Sequence, residues 1–316
     1  MKNRVITGMI VLFSLLLVAC SPTKENEKED GKIQAIATFY PMYEFAKAVI
    51  GEEGEVELLI PAGTEAHDYE PSAKSVAQMS DADAIIYNSH AFETWMENIL
   101  LNLDSDKTVM IEASRNIPLL SFESEHEEEH EADHEEAGHS HSHDEDPHVW
   151  LDPVLAMEQV AQIRDDLSQK YPEKQEIFTE NAANYLTELS RLDQEYQKAF
   201  KDATQRTFVT QHLAFSYLAK QYGLTQESMA GLSSEEEPTP KRLAELKNFI
   251  IDHEIEYLYF EDNTAGKMAM TLAEETGVEL AVLSTIESVS NDQQAAGKTY
   301  LSLMEDNLKA LQLSLR

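Results

Sequence analysis

Cysteine is almost absent from this sequence of 316 residues, and the only one is Cys20. A chain with one cysteine cannot form an internal disulfide framework, and it cannot build a zinc site from several thiolates. Any site for a transition metal in the folded part of the chain must therefore use nitrogen and oxygen ligands.

Basic side chains are also scarce. The chain has 24 Lys and Arg against 59 Asp and Glu, which gives a formal net charge of −35 at pH 7. Such a surface repels nucleic acid and anionic lipid, and it attracts cations. We therefore expect no nucleic-acid partner, and the charge favours a cation as the ligand.

Long apolar runs are missing except near the start, where residues 10–18 are mostly apolar and Cys20 follows soon after. This run is too short for a transmembrane helix, and it predicts a signal peptide over residues 1–19. A cysteine in this position resembles the bacterial lipobox, which implies lipid attachment at Cys20 and a membrane-anchored protein on the extracytoplasmic face. An ordinary signal peptide with an incidental cysteine is the alternative. The polar residues 20–32 predict a flexible tether.

Two series of short apolar runs alternating with helical patterns follow from Ile33 onward. Strands that alternate with helices predict α/β units with mostly parallel sheets. We therefore predict an N-terminal α/β domain over 33–165 and a C-terminal α/β domain over 205–316. Helices are predicted over 91–103 in the first series and, in the second, over 214–222, 240–253, 266–276 and 293–311.

The stretch between these two series contains neither Gly nor Pro from Glu173 onward. Its apolar residues recur at three- and four-residue spacings, which predicts one long amphipathic helix over 173–203. A helix of this length is stiff, so we expect a rigid link between the domains and only limited tilting. The alternative is a helix that packs on one domain alone.

A loop of low complexity, residues 123–146, contains the zinc-protease string H-E-x-x-H twice. A protease helix must bury one face, yet this loop has twelve acidic residues and no apolar side chain larger than alanine apart from Pro147 beside it. We therefore interpret the strings as chance matches. Our hypothesis is that the loop captures zinc transiently through six histidines, and the alternative is a solvated insert without a role. These histidines are His126, His130, His134, His139, His141 and His143.

Three other histidines lie where predicted strands end or where apolar sequence resumes. His67 follows the strand near residue 60, His148 follows the acidic loop, and His212 ends the strand "TFVTQH". Each alone is more often an ordinary polar residue. Together they suggest one shared site, although spacing alone does not establish it.

Several motifs resemble those of the zinc-binding lipoproteins of ABC transporters, of the AdcA and ZnuA type (cluster A-I solute-binding proteins). They are "TFYPMYEFAK", "PAGTEAHDYEPS", "ADAIIYN", "DPHVWLDP", "QHLAFSYLAKQYGL", "GLSSEEEPTPKRL" and "YLSLMEDNLKAL". The similarity extends from about Ile33 to Leu311. It implies two α/β domains joined by a long helix, with metal bound in the cleft between them.

The resemblance also implies the ligands. Three imidazoles and one carboxylate would bind the metal, from His67, His148, His212 and Glu287. Glu261 and Asp262 are the alternatives for the carboxylate. In the manganese-binding relatives a glutamate occupies the position of His212, and three imidazoles with one carboxylate suit tetrahedral Zn²⁺ better than Mn²⁺.

The expected function is therefore that of a monomeric extracytoplasmic receptor that captures Zn²⁺ and delivers it to an ABC permease. A manganese receptor or a surface adhesin of the same family is the alternative. We do not expect an enzyme, because a zinc hydrolase needs an open coordination position and four protein ligands would leave none.

Overall fold

The computed structural model describes residues 31–121, 145–233, 236–261 and 266–316. The residues from Ile33 to Arg316 form one compact unit. Within the described ranges, no helix has the length and apolar character needed to span a membrane. The predicted signal peptide, Cys20, nearly all of the predicted tether and the six loop histidines lie outside those ranges.

The first sheet has four parallel strands in the order β2-β1-β3-β4. All four residues of β3 are buried, as expected for a parallel sheet that is covered on both faces. This sheet and the helices around it form the first half of the molecule. Its elements are β1 (Ile33–Ala37), α1 (Tyr40–Ile50), β2 (Gly54–Leu58), α2 (Ala73–Asp81), β3 (Ala84–Tyr87), α3 (Met96–Leu100), β4 (Val109–Glu112) and α4 (Pro153–Lys170).

A small antiparallel pair of strands lies between β4 and α4. Its members are β5 (Leu120–Ser121) and β6 (Glu145–Asp146), with Leu120 opposite Asp146. The pair brings together the two ends of the predicted acidic loop. Neither strand is predictable from the sequence, because two residues carry no periodicity.

The long helix α5 (Gln175–Phe200) packs against helices from both halves of the molecule. It contacts α1 and α4 of the first half, and it contacts the later helices α6 (Ser216–Tyr222) and α10 (Tyr300–Ser314) of the second half. These contacts favour the rigid link over a helix that packs on one half alone. Its buried face consists of the apolar residues Phe178, Ala182, Leu189, Leu192, Tyr196 and Phe200.

The second sheet also has four parallel strands, in the order β10-β9-β7-β8. The fold class predicted from the sequence, two α/β halves with parallel sheets and a long linking helix, is therefore confirmed. The predicted domain boundaries stay predictions. Besides α6 and α10, the elements of this half are β7 (Thr207–Thr210), β8 (Thr225–Ser228), α7 (Pro240–Asp252), β9 (Tyr257–Phe260), α8 (Lys267–Thr276), β10 (Glu279–Val282) and α9 (Asn291–Ala295).

Two predicted helices are shorter than the pattern suggested. In place of a helix over 91–103, only Met96–Leu100 is α-helical, because the buried Glu93 carboxylate accepts the backbone N–H groups of Asn88 and Ser89 and holds a turn there. The helix predicted over 293–311 is divided into α9 and α10. Gly297, with φ of 69°, separates them in a conformation that favours glycine.

Candidate metal centre

Four side chains converge between the two sheets, each from a loop or turn that follows a strand. His67 lies in the loop after β2, His148 follows β6, His212 lies two residues beyond β7, and Glu287 follows β10. His67, His212 and Glu287 follow strands of the two parallel sheets, and the carboxyl ends of such strands are where α/β folds assemble binding sites, whereas His148 follows the antiparallel strand β6. The structure thus brings together the four residues that the resemblance implied.

Five distances within this cluster are close to those between the ligands of a tetrahedral ion. The Nε2 atoms of His67 and His148 are 3.2 Å apart, and those of His148 and His212 are 3.4 Å apart. The Glu287 carboxylate lies 3.5, 3.3 and 3.6 Å from the Nε2 atoms of His67, His148 and His212. A tetrahedral zinc ion with bonds of about 2.0–2.1 Å separates its ligand atoms by about 3.3 Å. These five separations are therefore close to those of a zinc coordination shell, and all four ligand atoms lie within 4.8 Å of one another.

The cluster is almost closed to solvent. The side chains of His148 and His212 are fully buried and that of Glu287 is 2% exposed, whereas that of His67 is 12% exposed. An ion held here would exchange its hydration shell for protein ligands. The exposure of His67 marks the side from which solvent reaches the site.

Two further carboxylates orient the buried imidazoles. The Nδ1–H of His148 donates to Asp146 Oδ1 at 2.7 Å, and the Nδ1–H of His212 donates to Glu261 Oε1 at 2.5 Å. Each bond leaves the Nε2 atom directed at the centre, which is the arrangement found around histidine ligands of zinc.

These orienting roles are not evident from the sequence. Glu261, the alternative fourth ligand, binds the far side of the His212 ring and is not one of the four clustered groups, while Asp262 lies outside the described residues. Asp146 was missed as a partner of His148. The two-residue spacing in "DPH" is the only local signal that could have indicated it.

The charges of the cluster shift its pKa values. Burial lowers the pKa of His212, but the charges of Glu261 and Glu287 and their hydrogen bonds outweigh burial and raise it to about 10. For His148, burial likewise lowers the pKa, and Asp146 and Glu287 raise it overall. Burial raises the pKa of Glu287, yet the three histidines hold it well below its usual range. The metal-free cluster therefore retains protons on its imidazoles that a cation must displace.

The remaining described histidines lie apart from the cluster. The imidazole of His90 is 54% exposed and contacts Glu112 and Glu145, each at 3.3 Å. His253 follows the end of α7. Neither is one of the four clustered groups.

Two α/β halves are joined by a long helix and hold a buried cluster of three histidines and one glutamate between them. This combination defines a class of metal-binding proteins. The model of the ZnuA family, "Zinc-uptake complex component A periplasmic", matches residues 36–313. The chain belongs to this family, and the resemblance seen in its motifs is confirmed.

Individual relatives support the same assignment. The chain is 47% identical over 300 residues to the zinc-binding lipoprotein AdcA of Streptococcus pneumoniae, covering 95% of this chain and 58% of AdcA. It is 42% identical over 315 residues to the high-affinity zinc uptake system protein ZnuA of Bacillus subtilis, covering 98% of this chain and 97% of ZnuA. The chain thus spans less than two thirds of the length of AdcA.

Among solved structures, the Zn(II)-bound ZnuA-like domain of Streptococcus pneumoniae AdcA superimposes with a TM-score of 0.77. The two sequences are 44% identical, and the match covers 90% of this chain and 99% of that domain. The two chains are therefore similar in sequence as well as in fold.

Proposed function

We propose that this protein is an extracytoplasmic receptor that captures Zn²⁺ and delivers it to an ABC permease for import. The ion would be bound by the three imidazoles and the carboxylate of the buried cluster, that is, by His67, His148, His212 and Glu287. Zinc is the cargo of this protein, and it leaves the site when it is delivered.

The observation that carries the proposal is the set of four ligand atoms, which all lie within 4.8 Å of one another. Its imidazole-rich composition suits Zn²⁺, whereas a site for Mn²⁺ would contain more carboxylate and water. The family membership and the Zn(II)-bound relative support the same ion. No observation on the described residues favours the manganese or adhesin alternative.

The chemistry of the cluster supports a carrier and not a hydrolase. A catalytic zinc site keeps one coordination position open for water or substrate. Here four protein groups lie within 4.8 Å of one another, so an ion bound by all four would have no open tetrahedral position. We therefore propose binding without turnover as the role of this site.

The location and the partners are proposed from the sequence and from the relatives. The apolar start and Cys20 fit a lipid-anchored protein on the extracytoplasmic face of the cell membrane, and AdcA is named a lipoprotein. ZnuA is named as part of a zinc uptake system, which fits delivery to a permease. We propose that the protein acts as a monomer.

Growth under zinc depletion tests the proposal. Cells that lack this protein should grow poorly when zinc is chelated, and the wild-type gene should restore growth. His212→Ala should fail to restore it, whereas the control His253→Ala, which changes a histidine remote from the cluster, should restore it fully. Equal restoration by both variants, at equal protein levels, would contradict the proposal.

A further inference from the structure

The segment that carries His148 has little regular structure of its own. It comprises the two residues of β6 and a short 3₁₀ turn, Val149–Leu151. Two-residue strands are too short to be stable by themselves. The position of the imidazole must therefore be fixed by contacts from elsewhere, because a metal site tolerates errors of only about 0.5 Å.

One such contact comes from a tyrosine in the second half of the molecule. Tyr217 lies on α6 and is 5% exposed. Its hydroxyl donates to the carbonyl oxygen of Asp146 at 2.7 Å and accepts the backbone N–H of Leu120 at 2.8 Å. Since Leu120 and Asp146 are opposite one another in the β5–β6 pair, a single hydroxyl joins both strands.

The ring of Tyr217 is held in place by apolar packing. It belongs to a small buried cluster with Ile117 and Val149, against which Leu119, Leu120 and Leu155 pack. The ring is thus fixed by its packing, so the side chain loses little further conformational freedom when the hydroxyl forms its two hydrogen bonds. Phenylalanine at this position would keep the packing and lose both bonds.

Asp146 is the residue through which this constraint reaches the metal centre. Its Oδ1 accepts both the backbone N–H of His148, at 2.9 Å, and the Nδ1–H of the same histidine, at 2.7 Å. Fixing the backbone of Asp146 therefore fixes the carboxylate that orients the ring. On the other side, Asn88 donates its Nδ2–H to the Pro147 carbonyl at 2.9 Å, from the first half of the molecule.

We propose that Tyr217 is a positioning residue for zinc binding. By holding Asp146 from the second half, while Asn88 holds Pro147 from the first, it sets the His148 imidazole in place before the ion arrives. This inference rests on the proposed zinc-binding function. Tyr217 itself does not contact the ion.

The test compares Tyr217→Phe with the wild type and with the control Tyr196→Phe. Tyr196 is fully buried on α5, and its hydroxyl donates to the Met304 carbonyl at 2.8 Å, so the control also loses a buried hydroxyl bond to a backbone carbonyl. Zinc affinity is measured by competition with a chromogenic chelator. We expect a decrease of about tenfold for Tyr217→Phe, in the range found for outer-shell partners, and no change for Tyr196→Phe.

Two further measurements separate positioning from general stability. The Co²⁺-loaded form of Tyr217→Phe should show altered visible absorption, because a displaced imidazole changes the ligand field, whereas that of Tyr196→Phe should match the wild type. Zinc transfer from the loaded protein to excess chelator should be faster for Tyr217→Phe only. This last measurement requires only the zinc-bound form, so it remains decisive if the metal-free variant folds poorly.

Wild-type affinity, absorption and transfer rate in Tyr217→Phe would overturn the inference. Equal losses in both variants would overturn it too, because they would show a purely structural role. Failure of the wild type to bind zinc tightly would instead contradict the proposed function, so the two failures are distinguishable.

Discussion

At the scale of single residues, the four candidate ligands depend on carboxylates that do not themselves face the ion. Glu261 illustrates this dependence, because its Oε1 accepts the Nδ1–H of His212 while both side chains are buried. The carboxylate makes the imidazole a better electron donor and fixes its tautomer. The affinity of the site is therefore not determined by the four clustered groups alone.

Glu261→Gln should lower zinc affinity by about 10- to 100-fold, because an amide oxygen accepts the His212 proton without the negative charge. Isothermal titration of the metal-free variant with Zn²⁺ in the presence of a competing chelator would measure the change. Glu227→Gln is the matched control, since Glu227 pairs with Arg242 at 2.8 Å and is not part of the metal cluster. Unaltered affinity in Glu261→Gln would show that the charge of this partner is unimportant.

The raised pKa of His212, about 10, also predicts how zinc binding depends on pH. Below about pH 10 the imidazole of metal-free His212 carries a second proton, on Nε2, and zinc must displace it. Zinc affinity should thus rise with pH between 6 and 8.5, by about tenfold per pH unit for each proton displaced. Affinity that stays flat over this interval would contradict a site built on these imidazoles.

The same pKa shift has the opposite effect on the metal-free fold. A histidine whose pKa is raised in the folded state stabilises that state fully below its unfolded pKa of about 6.5. This contribution is lost as the pH rises towards about 10. In the zinc-bound protein the ion takes the place of the Nε2 proton of His212, so this loss should be absent. The difference in stability between the two forms should therefore widen as the pH rises.

At the scale of secondary-structure elements, α5 determines how the two halves are held. Its buried, mostly apolar face contacts helices of both halves. Because the helix is continuous for 26 residues, it transmits a rigid spacing from one sheet to the other.

Leu189→Ala, in the fully buried part of this face, should lower the free energy of unfolding by about 2–5 kcal/mol. Urea unfolding of the metal-free protein would measure the loss. Ile177→Ala on the same helix is the control, because Ile177 is 41% exposed and its truncation creates no enclosed cavity. Similar losses in the two variants would argue against a helix that is buried along one defined face.

Elements with a strong periodic pattern were predictable from sequence, and those set by tertiary contacts were not. The apolar runs of β1, β3 and β9 and the long pattern of α5 each predict the correct element. In contrast, β8 is the polar stretch "TQES", which forms a strand only because β7 supplies its partner. The hydrogen bonds of Tyr217 were not predictable either, because its partners Leu120 and Asp146 are distant in sequence.

The candidate ligands could be named from the sequence because they follow strands and stand in motifs that resemble a family. Composition and spacing alone only suggest that three histidines share one site. The orienting roles of Asp146 and Glu261 required coordinates, because they depend on which carboxylate meets the far nitrogen of each ring.

At the scale of the whole molecule, the site closes only when both halves contribute. His67 and His148 come from the first half, and His212 and Glu287 come from the second, so neither sheet alone holds more than two candidate ligands. Tight zinc binding should accordingly stabilise the entire chain against heat, because an ion bound only by the folded state shifts the folding equilibrium towards it.

Replacing residues 123–144 with a short Gly-Ser linker should leave the tight site in place, because β5 and β6 already bring the ends of that segment together. The replacement keeps Glu145, which contacts His90. Weak zinc binding by the loop histidines should be lost, as measured by equilibrium dialysis against micromolar zinc. Loss of the tight site instead would place the function in the loop.

Zinc stoichiometry and affinity, measured by chelator competition on protein without the first 30 residues, test the central claim most directly. The wild type should bind one ion tightly, and His212→Ala should lose that ion while remaining folded by circular dichroism. A tight ion that persists in His212→Ala would contradict a centre formed by three histidines and Glu287.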